Sequence, residues 1–471
     1  MDEYSEDEFT INQDDVIVIV PALDNGRYGR RPLHYTKDIR DVHWKFENMS
    51  TLKSQEYPLY QNFVLANNER KVLDEGYYTI SLKYNINGIE QTIRMNSTIK
   101  VKYKNVKALK FTSKGGSTLG ITNNGGNTPN LEYSTDGENW IEWDYSTLAI
   151  NDGESVYLRG DNPNGFSSSA SVYSNFVMTG SLTCKGNVMH LLNYKQDLTI
   201  IPCDYCFCYI FEDCESLTTA PELPATTLTH HCYDSMFSGC TSLKTAPELP
   251  ATTLASNCYN GMFENCTSLK TAPTLPATTL TNYCYQLMFS SCTSLTTAPE
   301  LPATTLADGC YQLMFNSCTS LTTAPELPAT TLADSCYTGM FMFCTSLTAA
   351  PELPATTLAG YCYQLMFESC ISLTTAPELP ATTLADGCYY DMFSFCTHLT
   401  TAPELPATTL AESCYRSMFY WCTHLTTAPE LPATTLAPSC YRSMFYWCSK
   451  LNNITMLATD ISASNCLSNW V

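Results

Sequence analysis

The sequence predicts a mainly β protein: two N-terminal β domains, sandwiches of immunoglobulin type, followed by a solenoid of short parallel strands and short helical turns. Three observations carry this reading. The phrase T-T-A-P-E-L-P-A-T-T-L recurs nine times between Thr218 and Leu436, with few changes and always on a step of 26 residues. A fixed period in the twenties marks units that cannot bury their own apolar face and must stack on their neighbours. Two series of cysteines keep the same step, Cys206 to Cys466 and Cys214 to Cys448. Upstream of the repeats, alternating apolar and polar runs are punctuated by Asn-Gly and Asp-Gly pairs, the turn chemistry of β-hairpins.

Residues 1–105 read as a small β domain. Residues 1–16 hold seven carboxylates and fit an acidic mobile tail or a docking arm equally. Val16 to Val20 is a strong strand closed by Pro21, and Arg27, Arg30, Arg31, Lys37, Arg40 and Lys45 form a basic run that contrasts with the tail. Tyr77–Tyr84 and Ile89–Met95 alternate around Asn87-Gly88, a firm hairpin signal, and Thr98–Tyr103 adds a strand.

Residues 106–180 read as a second β module. Ala108–Thr112, Leu131–Ser134, Trp140–Trp143, Ser155–Arg159 and Ser174–Met178 are short strands separated by regular turns, with Asp136-Gly137 as a further hairpin pair. That spacing suggests a sandwich of immunoglobulin type.

Residues 181–471 are the solenoid. In one unit, Cys292 to Ser317, the run Ser294–Ala298 suits a brief strand on a stacked parallel sheet. Pro299 and Pro302 have no N–H for a ladder, so the strand ends there. Asp308 stands where a helix N-cap would, ahead of Cys310–Phe315 as a short helical turn. Leu295, Ala298, Leu301, Leu306, Cys310, Met314, Phe315 and Cys318 form the apolar set expected to face inward, as columns down the core.

Met314-Phe315-Asn316-Ser317-Cys318-Thr319-Ser320-Leu321, following the Leu-x-x-Ala and proline of each unit, resembles the BspA-like leucine-rich repeat. Ala-Pro-Glu-Leu-Pro and the longer Ala307–Leu313 segment depart from the commoner form of that repeat. The resemblance covers residues from about 182 to the end. It implies a leucine-rich-repeat solenoid engaged in adhesion or surface recognition, with no common active site, of a kind found on gut anaerobes and in the tailed phages that infect them. A β module resembling residues 106–180 often precedes such repeats.

Composition excludes several classes. A formal charge of −21 opposes nucleic acid as a partner, since phosphate binding needs a basic footprint. No apolar run is long enough for a membrane span. The acidic N-terminus is the reverse of a secretory signal, and the first cysteine is Cys184; the chain is expected to leave the cytoplasm only in another vehicle. No nucleophile elbow, zinc-protease, P-loop or dinucleotide motif occurs, so neither enzyme activity nor a cofactor is expected. The histidines His230, His231, His398 and His424 read as surface replacements.

The 24 cysteines look like a disulfide framework, but a column of identical residues has no reason to pair two by two, and buried thiols acting as small hydrophobes is the simpler reading. Cys203-x-x-Cys206-x-Cys208 with Cys214 invites a zinc site, yet Cys206 and Cys214 are the first members of the two columns. No metal is assigned. Glu222, Glu248, Glu300, Glu326, Glu352, Glu378, Glu404 and Glu430 share one repeat position, broken by Thr274, and are expected to be solvated and screened by salt.

The core positions stay fixed while the pairs after Cys-Tyr and after Met-Phe vary. Towards the C-terminal end these outer positions turn aromatic, giving Phe343, Phe395, Tyr420, Trp421, Tyr446 and Trp447, with Arg416 and Arg442 nearby. Exposed aromatics beside arginine are typical of binding hot spots and sugar-stacking platforms. The expectation is therefore a non-enzymatic recognition protein: a fibre or decoration protein of a phage virion, released by lysis, docking on a capsid or tail protein through residues 1–105 and meeting a host surface protein or glycan through the repeats. A bacterial cell-surface adhesin is the alternative. Phage fibres often form homo-oligomers, which this chain neither requires nor forbids.

Overall fold

The computed structural model describes residues 106–125 and 128–471, together with the strands of residues 6–103. The chain forms two compact units, Met1–Val106 and Lys107–Val471.

The first unit contains β1 (Glu6–Ile11), β2 (Val16–Ile17), β3 (Ala22–Asp24), β4 (Arg30–Pro32), β5 (Ile39–Asn48), β6 (Ser54–Pro58), β7 (Phe63–Val64), β8 (Ala66–Asn67), β9 (Arg70–Lys71), β10 (Gly76–Ile86) and β11 (Ile89–Tyr103). A five-stranded sheet has the order β1-β11-β10-β5-β6, and β2 with β7, β3 with β4 and β8 with β9 form three small pairs. β10 and β11 are antiparallel with Ile86 opposite Ile89; the expected turn pair between them, Asn87-Gly88, lies outside the described residues. The strand expected over Thr98–Tyr103 is the far half of β11. Part of the acidic segment is ordered: Glu6–Ile11 lies parallel to β11, with Glu6 opposite Thr98. Residues 1–5 and 12–15, Arg27, Lys37 and the rest of the run ending at Val20 lie outside the described residues.

The second unit begins with β12 (Leu109–Ser113), β13 (Ser117–Asn124), β14 (Leu131–Ser134), β15 (Ile141–Glu142), β16 (Leu148–Ile150), β17 (Ser155–Gly160), β18 (Tyr173–Thr179) and β19 (Leu182–Lys185). One sheet runs β15-β14-β17-β12-β19 and continues into β20 (Leu217–Thr219); the other runs β16-β13-β18. The sheets share a core in which Phe111 of β12 meets Phe176 of β18 edge-on, 5.7 Å between centroids. The connectivity departs from the immunoglobulin expectation. There the first two strands are neighbours in one sheet, whereas β12 sits between β17 and β19, and β13 pairs with β16 and β18.

This module closes the first coil of the solenoid. β19 and β20 pair in parallel, Leu182 opposite Leu217. Phe166 N–H donates to Cys206 O at 2.8 Å and Phe176 N–H to Ile210 O at 2.8 Å, while Ser167 Oγ–H reaches Cys208 O at 2.8 Å. Three carbonyls that would otherwise lie unpaired under a buried face are thereby satisfied.

Within the repeats the expected helical turn is absent, and its hydrogen bonds show why. From Cys310 to Cys318 every second N–H bonds three residues back: Cys310 to Ala307, Gln312 to Gly309, Met314 to Tyr311, Asn316 to Leu313 and Cys318 to Phe315, at 3.1–3.2 Å. The intervening N–H groups point to the next coil: Gly309 to Asp334 O, Tyr311 to Cys336 O, Leu313 to Thr338 O, Phe315 to Met340 O and Ser317 to Met342 O, at 2.8–3.0 Å. An α-helix would commit these donors to its own axis. Here the segment is a run of overlapping β-turns, and half its donors cement the stack. One residue in four takes a left-handed backbone: Gly309 (φ 57°), Leu313 (56°) and Ser317 (60°).

The residue expected to be an N-cap bridges coils instead. Asp308 Oδ1 accepts from Asp334 N–H at 3.3 Å, Asp334 Oδ1 from Gly360 N–H at 2.9 Å and Asp386 Oδ1 from Glu412 N–H at 3.1 Å. The expected strands shrink after Leu217–Thr219 to single parallel bridges such as Thr245 with Thr271 and Thr271 with Thr297, because the flanking prolines withhold their donors.

Leu295, Leu301, Cys310, Met314, Phe315 and Cys318 are buried as expected, whereas Ala298 and Leu306 are half-buried and Tyr311 and Ala303 join the core. The tyrosines stack coil on coil, with Tyr311 5.8 Å from Tyr337 between centroids, and the phenylalanines run beside them, Phe315 5.7 Å from Phe341. All 24 cysteines are free thiols. Those of the Cys214 series do more than fill space. From Cys240 on, each donates its S–H to the phenylalanine carbonyl of the preceding coil, as Cys318 does to Phe289 O at 3.1 Å. The carbonyl already accepts an N–H from its own turn, so the thiol fills its second lone pair where a methyl group could not. The eight glutamates of the Pro-Glu-Leu-Pro position are all exposed.

Candidate recognition face

Three columns of left-handed residues, four apart in each coil, run along the outer side of the turn segment. In the third column Asp213, Gly239 and Asn265 are followed by Ser291, Ser317, Phe343, Ser369, Phe395, Trp421 and Trp447, every φ positive. Glycine, asparagine and aspartate suit that backbone; for a bulky side chain it costs roughly 1–2 kcal/mol. The large aromatics therefore stand at the positions least suited to them, and they are exposed: Phe343 by 39%, Phe395 by 36%, Trp421 by 37% and Trp447 by 56%.

The structure brings five of the six sequence-predicted aromatics into one ladder. Phe395 stacks on Trp421 at 6.0 Å between centroids, Trp421 lies 5.3 Å from Trp447 and Tyr420 stacks on Tyr446 at 5.7 Å. Phe395 meets Tyr420 edge-on, and Tyr446 meets Trp447 likewise. Phe343 belongs to the same column but is parted from Phe395 by Ser369. The arginines stand elsewhere. Arg416 lies over the Tyr390 ring at 4.8 Å, a residue that sequence reasoning passes over although it occupies one of the variable positions after Cys-Tyr, and Arg442 follows Arg416 in that column.

Beside Tyr390 is a second overlooked group. Burial, reinforced by the negative charge of Glu368 and only partly offset by Arg416, pushes the Asp391 carboxyl up to about 7. Burial raises Glu368 as well.

The first left-handed column holds two more exposed aromatics, Tyr283 and Tyr361, which the sequence places among the expected helix starts. Each ring covers a glycine of the next coil. A Cβ on Gly309 would stand 2.2 Å from Tyr283 Cε1, and one on Gly387 2.4 Å from Tyr361 Cε1. The readable signal is the succession of Tyr and then Gly one period later, twice.

The histidines follow the same repeat logic. His398 Nδ1 bonds Ile371 O at 2.6 Å and His424 Nδ1 bonds Thr397 O at 2.7 Å, the bond that Ser372 Oγ makes to Thr345 O. Among the described residues no cluster of His, Cys, Asp or Glu could hold a metal ion, and no helix is long and apolar enough to cross a membrane.

The BspA type leucine rich repeat region matches residues 204–348 and 366–469, in six copies covering more than half the chain. The chain belongs to the BspA-type leucine-rich-repeat family. No curated protein and no solved structure matches it. The BspA-type match coincides with the stacked turns and takes in every residue of the aromatic ladder. Most of what varies between these BspA-type units lies on the outer face, while the Leu, Cys, Tyr, Met and Phe columns stay constant.

Proposed function

We propose that the protein is a non-enzymatic recognition element of adhesin type, whose rod displays the Phe395, Tyr420, Trp421, Tyr446 and Trp447 ladder to a glycan on a target cell surface. One observation carries this: Phe395, Trp421 and Trp447, all exposed, occupy strained left-handed positions that other coils fill with Ser, Gly, Asn or Asp. Strained backbone positions that carry exposed rings are a mark of functional positions. A glycan is favoured over a protein partner because the rings form a regular one-dimensional series along the rod, suited to successive faces of a repeating chain. In this reading the first unit is the docking module, on a virion or on a cell envelope, and no cofactor is required.

The test replaces Trp421 and Trp447 by serine, the residue found at Ser291, Ser317 and Ser369, so the fold keeps a side chain it already accommodates. Loss of two hot-spot rings, each worth about 2 kcal/mol or more, lowers attachment to target cells at least 30-fold. Undiminished attachment refutes the assignment. Periodate treatment of the cells abolishes attachment if the ligand is a glycan, whereas sensitivity to protease alone identifies a protein instead.

A further inference from the structure

Twenty-three of the 24 cysteines are buried, and Cys203 is the partly exposed one. It stands three residues before Cys206 at the first bend of the first coil. In later coils this place belongs to Thr229, Ala255, Thr281 and Ala307, so the first coil is the one whose column cysteine faces a second thiol. The two residues meet at one point: a Cβ on Gly165 would stand 3.0 Å from Cys203 Sγ and 2.7 Å from Cys206 Cα. Tyr205 between the cysteines is left-handed, φ 55°. Residues 204–206 are in a turn, and the ends of a β-turn lie within about 7 Å between Cα atoms, which overlaps the roughly 4.4–6.8 Å that disulfides use.

The surroundings give the pair a location of consequence. Phe166 N–H donates to Cys206 O, and a Cβ on Gly165 would stand 3.0 Å from Cys203 Sγ. The two thiols therefore sit where the β module closes the rod.

We propose that Cys203 and Cys206 are a dithiol–disulfide pair that closes by exchange with a low-molecular-weight disulfide and staples the first bend of the rod beneath the Gly165–Phe166 loop. Cys203 is the attacking group: it is the accessible sulfur, and the hydrogen bond from Cys206 lowers its thiol below the ordinary range. Its thiolate attacks one sulfur of the small disulfide, forming a mixed disulfide and expelling one thiolate, which takes up a proton. Cys206, giving up its own proton, then attacks Cys203 Sγ and expels the second small thiol. Two protein thiols and one small disulfide become one protein disulfide and two small thiols. The remaining cysteines stay reduced because they are buried and lack a neighbouring attacker of this kind.

The full chain is incubated with oxidised glutathione, unfolded in the presence of iodoacetamide and mapped by peptide mass spectrometry. The expected result is a peptide spanning residues 203–206 that has lost two hydrogens and carries no alkyl group, with every other cysteine alkylated. Cys203→Thr copies Thr229 and Thr281, so it keeps the fold, and in it Cys206 is alkylated in full. Alkylation of both Cys203 and Cys206 after oxidant overturns the proposal, as does a glutathione adduct on Cys203 that persists unresolved. The Phe166 amide, followed by hydrogen exchange, exchanges more slowly in the oxidised chain; an unchanged rate overturns the stapling role.

Discussion

Substituting Gly387 by alanine separates two effects that the left-handed columns combine. Gly387 has φ 57°, and a methyl group there would stand 2.4 and 2.5 Å from Cε1 and Cδ1 of Tyr361. The backbone term is about 1–2 kcal/mol. The ring must retreat by about 1 Å to restore van der Waals contact, and overpacking of this sort costs about 1–3 kcal/mol. Gly387→Ala therefore destabilises by about 2–5 kcal/mol. With Tyr361→Ser the ring is gone, and the succession becomes small residue upon small residue, as in the native pair Ser413 and Ser439, both left-handed. In that background only the backbone term of about 1–2 kcal/mol remains. Guanidinium unfolding of the full chain, followed by tryptophan fluorescence and far-ultraviolet dichroism with coincident transitions as the test of two-state behaviour, yields a coupling of about 1–3 kcal/mol. A coupling below about 0.5 kcal/mol would show that Tyr361 yields freely, and would refute the claim that these rings and glycines select one another.

Two further outcomes are expected. Asp391 titrates near pH 7 in the folded chain and near 4 when unfolded. The folded state holds a proton that the unfolded state releases across that window, so stability falls as pH rises from about 4 to about 7 and stays lower above it; Asp391→Asn raises the melting temperature at pH 8 but not at pH 4, and an equal rise at both would exclude this cause. If a tailed phage carries the protein, mass spectrometry of purified virions detects peptides from both compact units, whereas their absence from virions and presence in the cell-envelope fraction assigns it to the bacterial surface.

The parts of the fold legible in the sequence are those fixed by local chemistry or by repetition. The alternating runs on either side of Asn87-Gly88 announce β10 and β11 because that pair favours a tight hairpin turn. The 26-residue step places the Leu, Cys, Met and Phe columns because stacking brings equivalent residues together whatever the coil's shape. The turn segment misleads because Cys310-x-x-x-Met314-Phe315 has helical spacing, while half its donors are claimed by residues 25 positions later, which no local window reveals. Tyr311 escapes the expected core because its hydroxyl suggests water, although its ring gains two stacked neighbours. The left-handed columns are hidden by their own exceptions. Leu313, Phe343 and Trp421 do not announce positive φ, but Gly239 and Asn265 in the third column and Asn257, Gly309 and Gly387 in the first do so for the whole column. The aromatic ladder is readable as a set of variable residues, whereas the pairing of Arg416 with Tyr390 requires the lateral order of the columns.

A core that is the same in every coil cannot distinguish the correct neighbour from one a full period away. During folding, a coil that skipped its partner would still find leucine for leucine and phenylalanine for phenylalanine, with one unit looped out. The marks that identify the proper succession are on the outside, where Tyr283 fits over Gly309 but would find no such recess at Ser335, and where Tyr361 likewise finds Gly387. These surface pairs fix the succession at two junctions of the rod.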